Sequence, residues 1–176
     1  PHQISELLNL LRDHFGVKPL FYFHKNNSLI FSSESKAILS HPMVPIDRNN
    51  NAIHLLTNLR YVQSNEVMFK GVYQIPPGCY MNYENNSVNI RSYYEFNPKT
   101  VSMDKKQVED GIIYHLKKAV KRQLVSDVPI GVYLSGGIDS SAIVAMMSNI
   151  GVKNISTFTL GFNEPTDEFK SAKIIS

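Results

Sequence analysis

Ser135-Gly136-Gly137-Ile138-Asp139-Ser140-Ser141 gathers three hydroxyls, one carboxylate and a glycine pair into seven positions. Adjacent glycines reach backbone torsions closed to other residues and carry no Cβ to hinder a ligand. If the segment opens a helix, the first N–H groups lack internal acceptors and point outward at the positive end of the helix dipole, which makes an anion site. Ser135, Ser140 and Ser141 would add hydroxyl donors. Asp139 would repel a bare phosphate, but it can hold a Mg²⁺ that bridges phosphate oxygens. The same residues also read as a capped tight turn with Asp139 or Ser140 as N-cap. Taken alone, the glycine pair favours this second reading.

The flanking residues place the segment in a strand–loop–helix unit. Ile130-Gly131-Val132-Tyr133-Leu134 reads as a short buried strand, Asp139–Ile150 as a helix, Asn154–Leu160 as a second strand, and Thr166–Ser176 as the start of another helix. Strand, helix and strand with this crossover length predict a βαβ unit and a parallel sheet. Upstream, Val108, Ile112, Leu116, Ala119, Val120 and Leu124 recur every three or four positions from Asp104 to Val125, one apolar stripe of an amphipathic helix with lysines opposite. Ser126-Asp127-Val128-Pro129 ends that helix, because proline disfavours helical torsions in the residue before it.

Before Pro98 the texture differs. Leu20-Phe21-Tyr22-Phe23 and Leu29-Ile30-Phe31 flank a Lys25-Asn26-Asn27-Ser28 turn, and Gly78–Tyr83 and Val88–Arg91 flank Glu84-Asn85-Asn86-Ser87. These read as two hairpins, with short helices at Glu34–Ser40 and Asn50–Leu59 between them. The fold class expected is therefore α+β with antiparallel pairing over residues 1–100, then α/β with a parallel sheet over 101–176.

Composition narrows the function classes. Lysine and arginine number 18 against 15 acidic residues, a net charge of +3, and the nearest approach to a basic run is Lys117, Lys118, Lys121 and Arg122. That is an ordinary solvated helix face, so nucleic acid is not an expected partner. Val128–Leu134 and Ala142–Met147 fall far short of the roughly 20 apolar residues of a membrane span. Pro1–Glu6 lacks the basic region and apolar core of a secretory signal. One cysteine forms no internal disulfide, and the expected location is the cytoplasm. The six histidines, at 2, 14, 24, 41, 54 and 115, lack zinc spacing. There is no Gly-x-Ser-x-Gly elbow and no Walker loop, and Gly131-Val132-Tyr133 has the wrong spacing for a dinucleotide fingerprint.

Ser-Gly-Gly-x-Asp-Ser in this context resembles the pyrophosphate loop of ATP pyrophosphatases. Leu124–Ser141, Thr157-Phe158-Thr159-Leu160-Gly161-Phe162, Asp167-Glu168, the Arg12–Leu20 run Arg-Asp-His-Phe-Gly-Val-Lys-Pro-Leu, Ser33-Glu34-Ser35-Lys36-Ala37 and Pro76-Pro77-Gly78 together resemble the glutamine-hydrolysing asparagine synthetases from Leu11 onward. The resemblance implies the later half of an Ntn-type glutaminase domain over residues 1–100. Over 101–176 it implies the start of an ATP-pyrophosphatase domain of the adenine nucleotide alpha hydrolase type. It further implies ATP-dependent amidation of aspartate with ammonia from glutamine, through a β-aspartyl-adenylate, releasing AMP and pyrophosphate.

By the same resemblance ATP and Mg²⁺ are expected at this loop. Ser135, Gly136, Gly137, Asp139 and Ser140 match the phosphate and Mg²⁺ positions, with Asp139 as metal ligand and Asp139 and Ser135 as catalytic residues. Tyr133, Leu134 and Leu160 match the adenine pocket; Tyr133 departs from the aliphatic residue expected there. Aspartate, glutamine and ATP are the implied small-molecule partners, no nucleic acid or membrane is implied, and a homodimer of the full-length parent is compatible with the pattern. Residue 1 is proline where the family has a catalytic cysteine, so the chain reads as an internal fragment, inactive alone. Cys79 reads as structural, and Arg12, Asp13 and Lys18 as framework stapling sheet to loop. Two alternatives remain at this point: a related ligase that amidates or cyclises another carboxylate, and a non-catalytic nucleotide-binding fragment.

Overall fold

The computed structural model describes residues 7–62, 65–162, 164 and 167–176. The expectations drawn from Pro1–Glu6, and Thr166 as the first residue of the last helix, lie outside the described residues. The chain forms two units, Pro1–Pro98 and Lys99–Ser176.

The first unit runs β1 (Leu8–Leu11), β2 (Phe21–Lys25), β3 (Ser28–Ser32), α1 (Ser35–Leu39), α2 (Asn50–Leu59), β4 (Val72–Gln74), β5 (Cys79–Glu84) and β6 (Ser87–Ser92). Two antiparallel sheets result, ordered β1-β5-β6 and β3-β2-β4. Both expected hairpins form, with Lys25 opposite Ser28 and Glu84 opposite Ser87. In the second, Asn85 and Asn86 take φ of 48° and 61°. Two consecutive left-handed residues match the twist of the flanking strands, and asparagine tolerates that region better than most side chains. Phe23, Ile38, Val44 and Val72 form a buried cluster, ringed by Phe21, Ile30, Leu39, Val67 and Phe69. β1 and β4 are absent from the sequence reading. Each becomes a strand through its partner: Leu8–Leu11 along β5, and Val72–Gln74 along β2.

Arg12 ties this unit together. It is only 9% exposed, and its guanidinium donates to Ile75 O at 2.6 Å, Gly16 O at 2.9 Å and Lys18 O at 3.2 Å. A buried charge is tolerated only when its donors are satisfied, and here three carbonyls from two chain segments do so. Asp13 closes the same loop: its carboxylate accepts from the backbone N–H groups of Lys18 and Val17, each at 3.0 Å, and of Phe15 at 3.2 Å. Those N–H donors, Lys18 first and then Val17, hold its pKa below the usual aspartate value. A Cβ on Gly16 (φ 65°) would sit 2.7 Å from Arg12 Nη2, so glycine is required there.

The second unit runs α3 (Lys105–Gln123), β7 (Gly131–Tyr133), α4 (Ile138–Asn149), β8 (Ser156–Phe158) and α5 (Phe169–Ile175). Asp104 and Gln107 cap α3 reciprocally, with Gln107 N donating to Asp104 Oδ1 and Asp104 N to Gln107 Oε1. β7 and β8 pair in parallel, with Tyr133 beside Phe158. Leu134, Val144 and Ala172 form the core, with Val132, Ile155 and Ile175 against it. Among the described residues no helix is long and apolar enough to cross a membrane.

Three expectations need correction here. The strand expected to be buried is not: Tyr133 is 75% exposed, because α4 and α5 pack over one face of this two-stranded sheet and the Tyr133–Phe158 side stays open. The apolar stripe of α3 is buried only near its end, at Val120, while Val108 and Ile112 lie exposed. Its period forms a helix, and the buried residue lies in the C-terminal half, where Lys117 Nζ also donates to Asn149 Oδ1 of α4. Finally, neither Asp139 nor Ser140 caps α4; Gly137 is the N-cap, without a side-chain cap.

Two predictions follow from the Arg12–Asp13 loop. Arg12→Ala should lower unfolding free energy in urea by about 3 kcal/mol, since it orphans a buried carbonyl as well as losing charge-assisted bonds. Arg12→Lys should recover less than half of that, because one ammonium cannot reach three carbonyls at once. For Asp13, the depressed folded-state pKa means stability present above about pH 4, the unfolded value, and lost as pH falls through the folded one. Melting temperatures between pH 2 and 6 should therefore fall more steeply with acid in the wild type than in Asp13→Asn.

Candidate nucleotide site

The loop leaves the sheet from a buried anchor. Leu134, 1% exposed, follows β7, and its N–H donates to Phe158 O at 2.8 Å. Ser135 is exposed, Gly136 turns the chain with φ 78°, and Gly137 starts α4 with φ −72° and ψ 165°. The first intrahelical bond runs from Ser141 N to Gly137 O at 3.1 Å. The N–H groups of Ile138, Asp139 and Ser140 therefore have no acceptor among the described residues, at the head of a 12-residue helix where the dipole favours an anion.

The serines organise this turn. Ser140 Oγ lies 3.0 Å from Ser135 Oγ and accepts from Ser135 N at 3.3 Å; Ser141 Oγ donates to Gly137 O at 2.5 Å. Among the described residues Ser135 bonds to Ser140 and Gly137 and to no imidazole or carboxylate, so its hydroxyl is equipped to donate to an anion rather than to act as an activated nucleophile. Asp139 is exposed on the first turn and makes no hydrogen bond or ion pair with the described residues. Both carboxylate oxygens are thus available. No group of three or more His, Cys, Asp or Glu could hold a metal among the described residues. A Mg²⁺ with one carboxylate and the rest of its shell from phosphate and water fits this donor set.

Beside the loop lies an open cleft of about 340 Å³ lined by Tyr133, Leu134, Ser135, Phe158, Thr159, Leu160 and Glu168. The structure thus brings Tyr133, Leu134, Ser135 and Leu160 around one space at the carboxyl ends of two parallel strands, where ligands of open α/β sheets bind. Gly136, Gly137, Asp139 and Ser140 continue from it along the turn and first helical residues, outside the cleft lining. The Tyr133 ring stands with its centroid 6.3 Å from that of Phe158. Sequence reasoning missed Phe158, Thr159 and Glu168 as cleft residues. Thr159 lay inside the quoted Thr-Phe-Thr-Leu-Gly-Phe run, but its role needs the strand register. Cys79 is the first residue of β5, paired opposite Ser92, and its carbonyl accepts from Arg12 N at 3.0 Å.

The two glycines differ. A Cβ on Gly136 would lie 2.6 Å from Ser171 Cβ and 2.8 Å from Ala172 N, so its bareness lets α5 pack against the turn. A Cβ on Gly137 would meet only Ser135 Oγ, at 3.3 Å. Gly136→Ala should therefore cost about 2–4 kcal/mol of stability, from left-handed strain plus overpacking. Gly137→Ala should cost about 1 kcal/mol or less, the difference between glycine and alanine at an N-cap. Paired thermal melts of the two variants check this ordering.

The family model described as asparagine synthase matches residues 112–176. The model described as glutamine amidotransferase domain matches residues 2–94, just over half of the chain. Among curated relatives, "Putative asparagine synthetase (glutamine-hydrolyzing) 2" of Methanocaldococcus jannaschii is 34% identical over 172 residues, covering 93% of this chain and 33% of the relative. Asparagine synthetase (glutamine-hydrolyzing) 3 of Bacillus subtilis is 33% identical over 173 residues, covering 94% and 28%. Amidase chyE of Penicillium rubens is 30% identical over 185 residues, covering 95% and 27%. The chain spans between about a quarter and a third of the length of these relatives. With a glutamine amidotransferase segment followed by an asparagine synthase segment, in the order the motifs implied, the chain belongs to the glutamine-hydrolysing asparagine synthetase family.

Proposed function

We propose that this chain carries the ATP site of an amidotransferase that makes asparagine from aspartate, with glutamine as the ammonia source. ATP activates the β-carboxyl of aspartate as an acyl-adenylate, and ammonia displaces AMP. The observation that carries this reading is the trio of unsatisfied N–H groups at Ile138, Asp139 and Ser140, set beside the cleft at the strand ends. In this role the N–H groups and the Ser135 and Ser140 hydroxyls hold the departing pyrophosphate, aimed donors that need no reorganisation as charge develops. Asp139 would hold Mg²⁺, which supplies charge neutralisation at the phosphate oxygens. Tyr133, Leu134 and Leu160 would form the walls for the base. On this reading Asp139 and Ser135 are the catalytic residues, and Tyr133 packs on Phe158 rather than replacing an aliphatic contact in the core.

A second reading, a related ligase acting on another carboxylate, draws on the relative named Amidase chyE, which matches over a similar share of the chain. A panel of carboxylate substrates separates the two.

Because Gly137 and not Asp139 occupies the cap, Asp139→Asn should cost only the charge–dipole contribution, about 0.3–1 kcal/mol. Pyrophosphate release with aspartate, ATP, Mg²⁺ and ammonia should fall by a factor on the order of 10²–10³ in the enzyme carrying this substitution, as when one transition-state contact is lost. Near-normal release from a normally melting variant would remove Asp139 from the chemistry.

A further inference from the structure

Regular parallel pairing has one more rung to offer beyond Leu134. Leu134 N donates to Phe158 O at 2.8 Å, so the next evenly spaced bond of the ladder would run from Leu160 N back to Leu134 O. That bond is not made. Thr159 Oγ1 donates to Leu134 O instead, at 2.8 Å, in a partly buried position. The Leu160 N–H and C=O engage no described residue, and Leu160 lines the cleft, 73% exposed.

We propose that Thr159 is a positioning residue: its hydroxyl ends the β7–β8 ladder by occupying the Leu134 carbonyl, and so keeps the Leu160 peptide unbonded at the cleft wall. The reason is that one donor suffices for this carbonyl. A buried carbonyl must be satisfied, and either the Leu160 N–H or the Thr159 hydroxyl can satisfy it. When the side chain does so, Leu134 stays fixed immediately before the glycine turn, and the strand end stays open to a ligand that offers hydrogen-bonding edges. Removing the hydroxyl leaves the carbonyl to recruit the Leu160 N–H, which extends the sheet into the cleft. The nucleotide half of this inference rests on the function proposed above; the ladder half does not.

The test uses the full chain and two measurements. Thr159→Val keeps the shape and removes the donor. Its Leu160 amide should exchange with solvent about tenfold more slowly, as a net bond of about 1.4 kcal/mol requires, and its affinity for ATP with Mg²⁺ should weaken about five- to tenfold. Thr159→Ser restores the donor and should return both readouts to near wild type. Should the valine variant fail to fold, Thr159→Ala carries the same expectations. Unchanged Leu160 exchange in the donor-free variants overturns the proposal, and so does slowed exchange with undiminished ATP affinity. Slowed exchange in a chain whose wild type binds no ATP upholds the ladder arrest and overturns the nucleotide reading instead.

Discussion

The hydrogen bond from Leu134 N to Phe158 O is the last rung between β7 and β8, and the candidate site is suspended from it. On one side of that rung Leu134 is sunk into the core with Val144 and Ala172, which anchors the strand end against both α4 and α5. On the other side the chain must turn at once into α4, so the backbone passes from satisfied to unsatisfied within four residues. Three N–H groups without acceptors among the described residues are tolerated because Ile138, Asp139 and Ser140 are exposed or half-exposed and lie beyond the buried anchor. The polar functions of the loop depend on this apolar fixture, since donors aimed at an anion are useful only when they do not move.

The glycine pair shows how one dipeptide serves two constraints. Gly136 turns left-handed and leaves room for Ser171 and Ala172, so it belongs as much to the packing of α5 as to ligand access. Gly137 has ordinary torsions and a single close neighbour, the Ser135 hydroxyl, and it stands in for a capping side chain that would otherwise occupy the helix head. A serine or aspartate at that position would stabilise the helix better, by satisfying an N–H group internally. It would also consume a donor that a ligand could use. The absence of a side-chain cap is a stability concession located where binding is expected.

The amidotransferase segment is held by a different device. There a buried cation, Arg12, is dispersed over three carbonyls, while Asp13 collects the N–H groups of the following turn. Together they give shape to a largely exposed loop without regular hydrogen bonding: Arg12 is its buried anchor, and Asp13 pairs the N–H groups of the turn. Tyr93 Oη adds a donor to Arg12 O at 2.6 Å, which joins the end of β6 to the same loop. Within the Arg-Asp-x-x-Gly-x-Lys-Pro-Leu run, Arg12, Asp13 and Gly16 are therefore folding constraints: the first two by their side-chain hydrogen bonds, the third by the space Arg12 and Pro77 leave it.

The sequence by itself determined the hairpins at Asn26-Asn27 and Asn85-Asn86, the helices from Asn50 and from Lys105, the parallel βαβ unit and the anion-ready head of α4. Each rests on local chemistry: turn residues, periodicity, or a helix end that cannot bond itself. Tertiary structure alone decided the rest. Leu8–Leu11 and Val72–Gln74 became strands because partners were there to pair with, and β7 stayed half exposed because helices cover one face. Gly136 proved a packing residue because α5 lies on it, and Gly137 took the cap from Asp139 because the helix starts at Ile138, which sets the cap two residues earlier. Thr159 reached the Leu134 carbonyl because parallel register sets a residue 25 positions away beside it. Contacts between distant segments depend on register and relative burial, which no window of neighbouring residues contains.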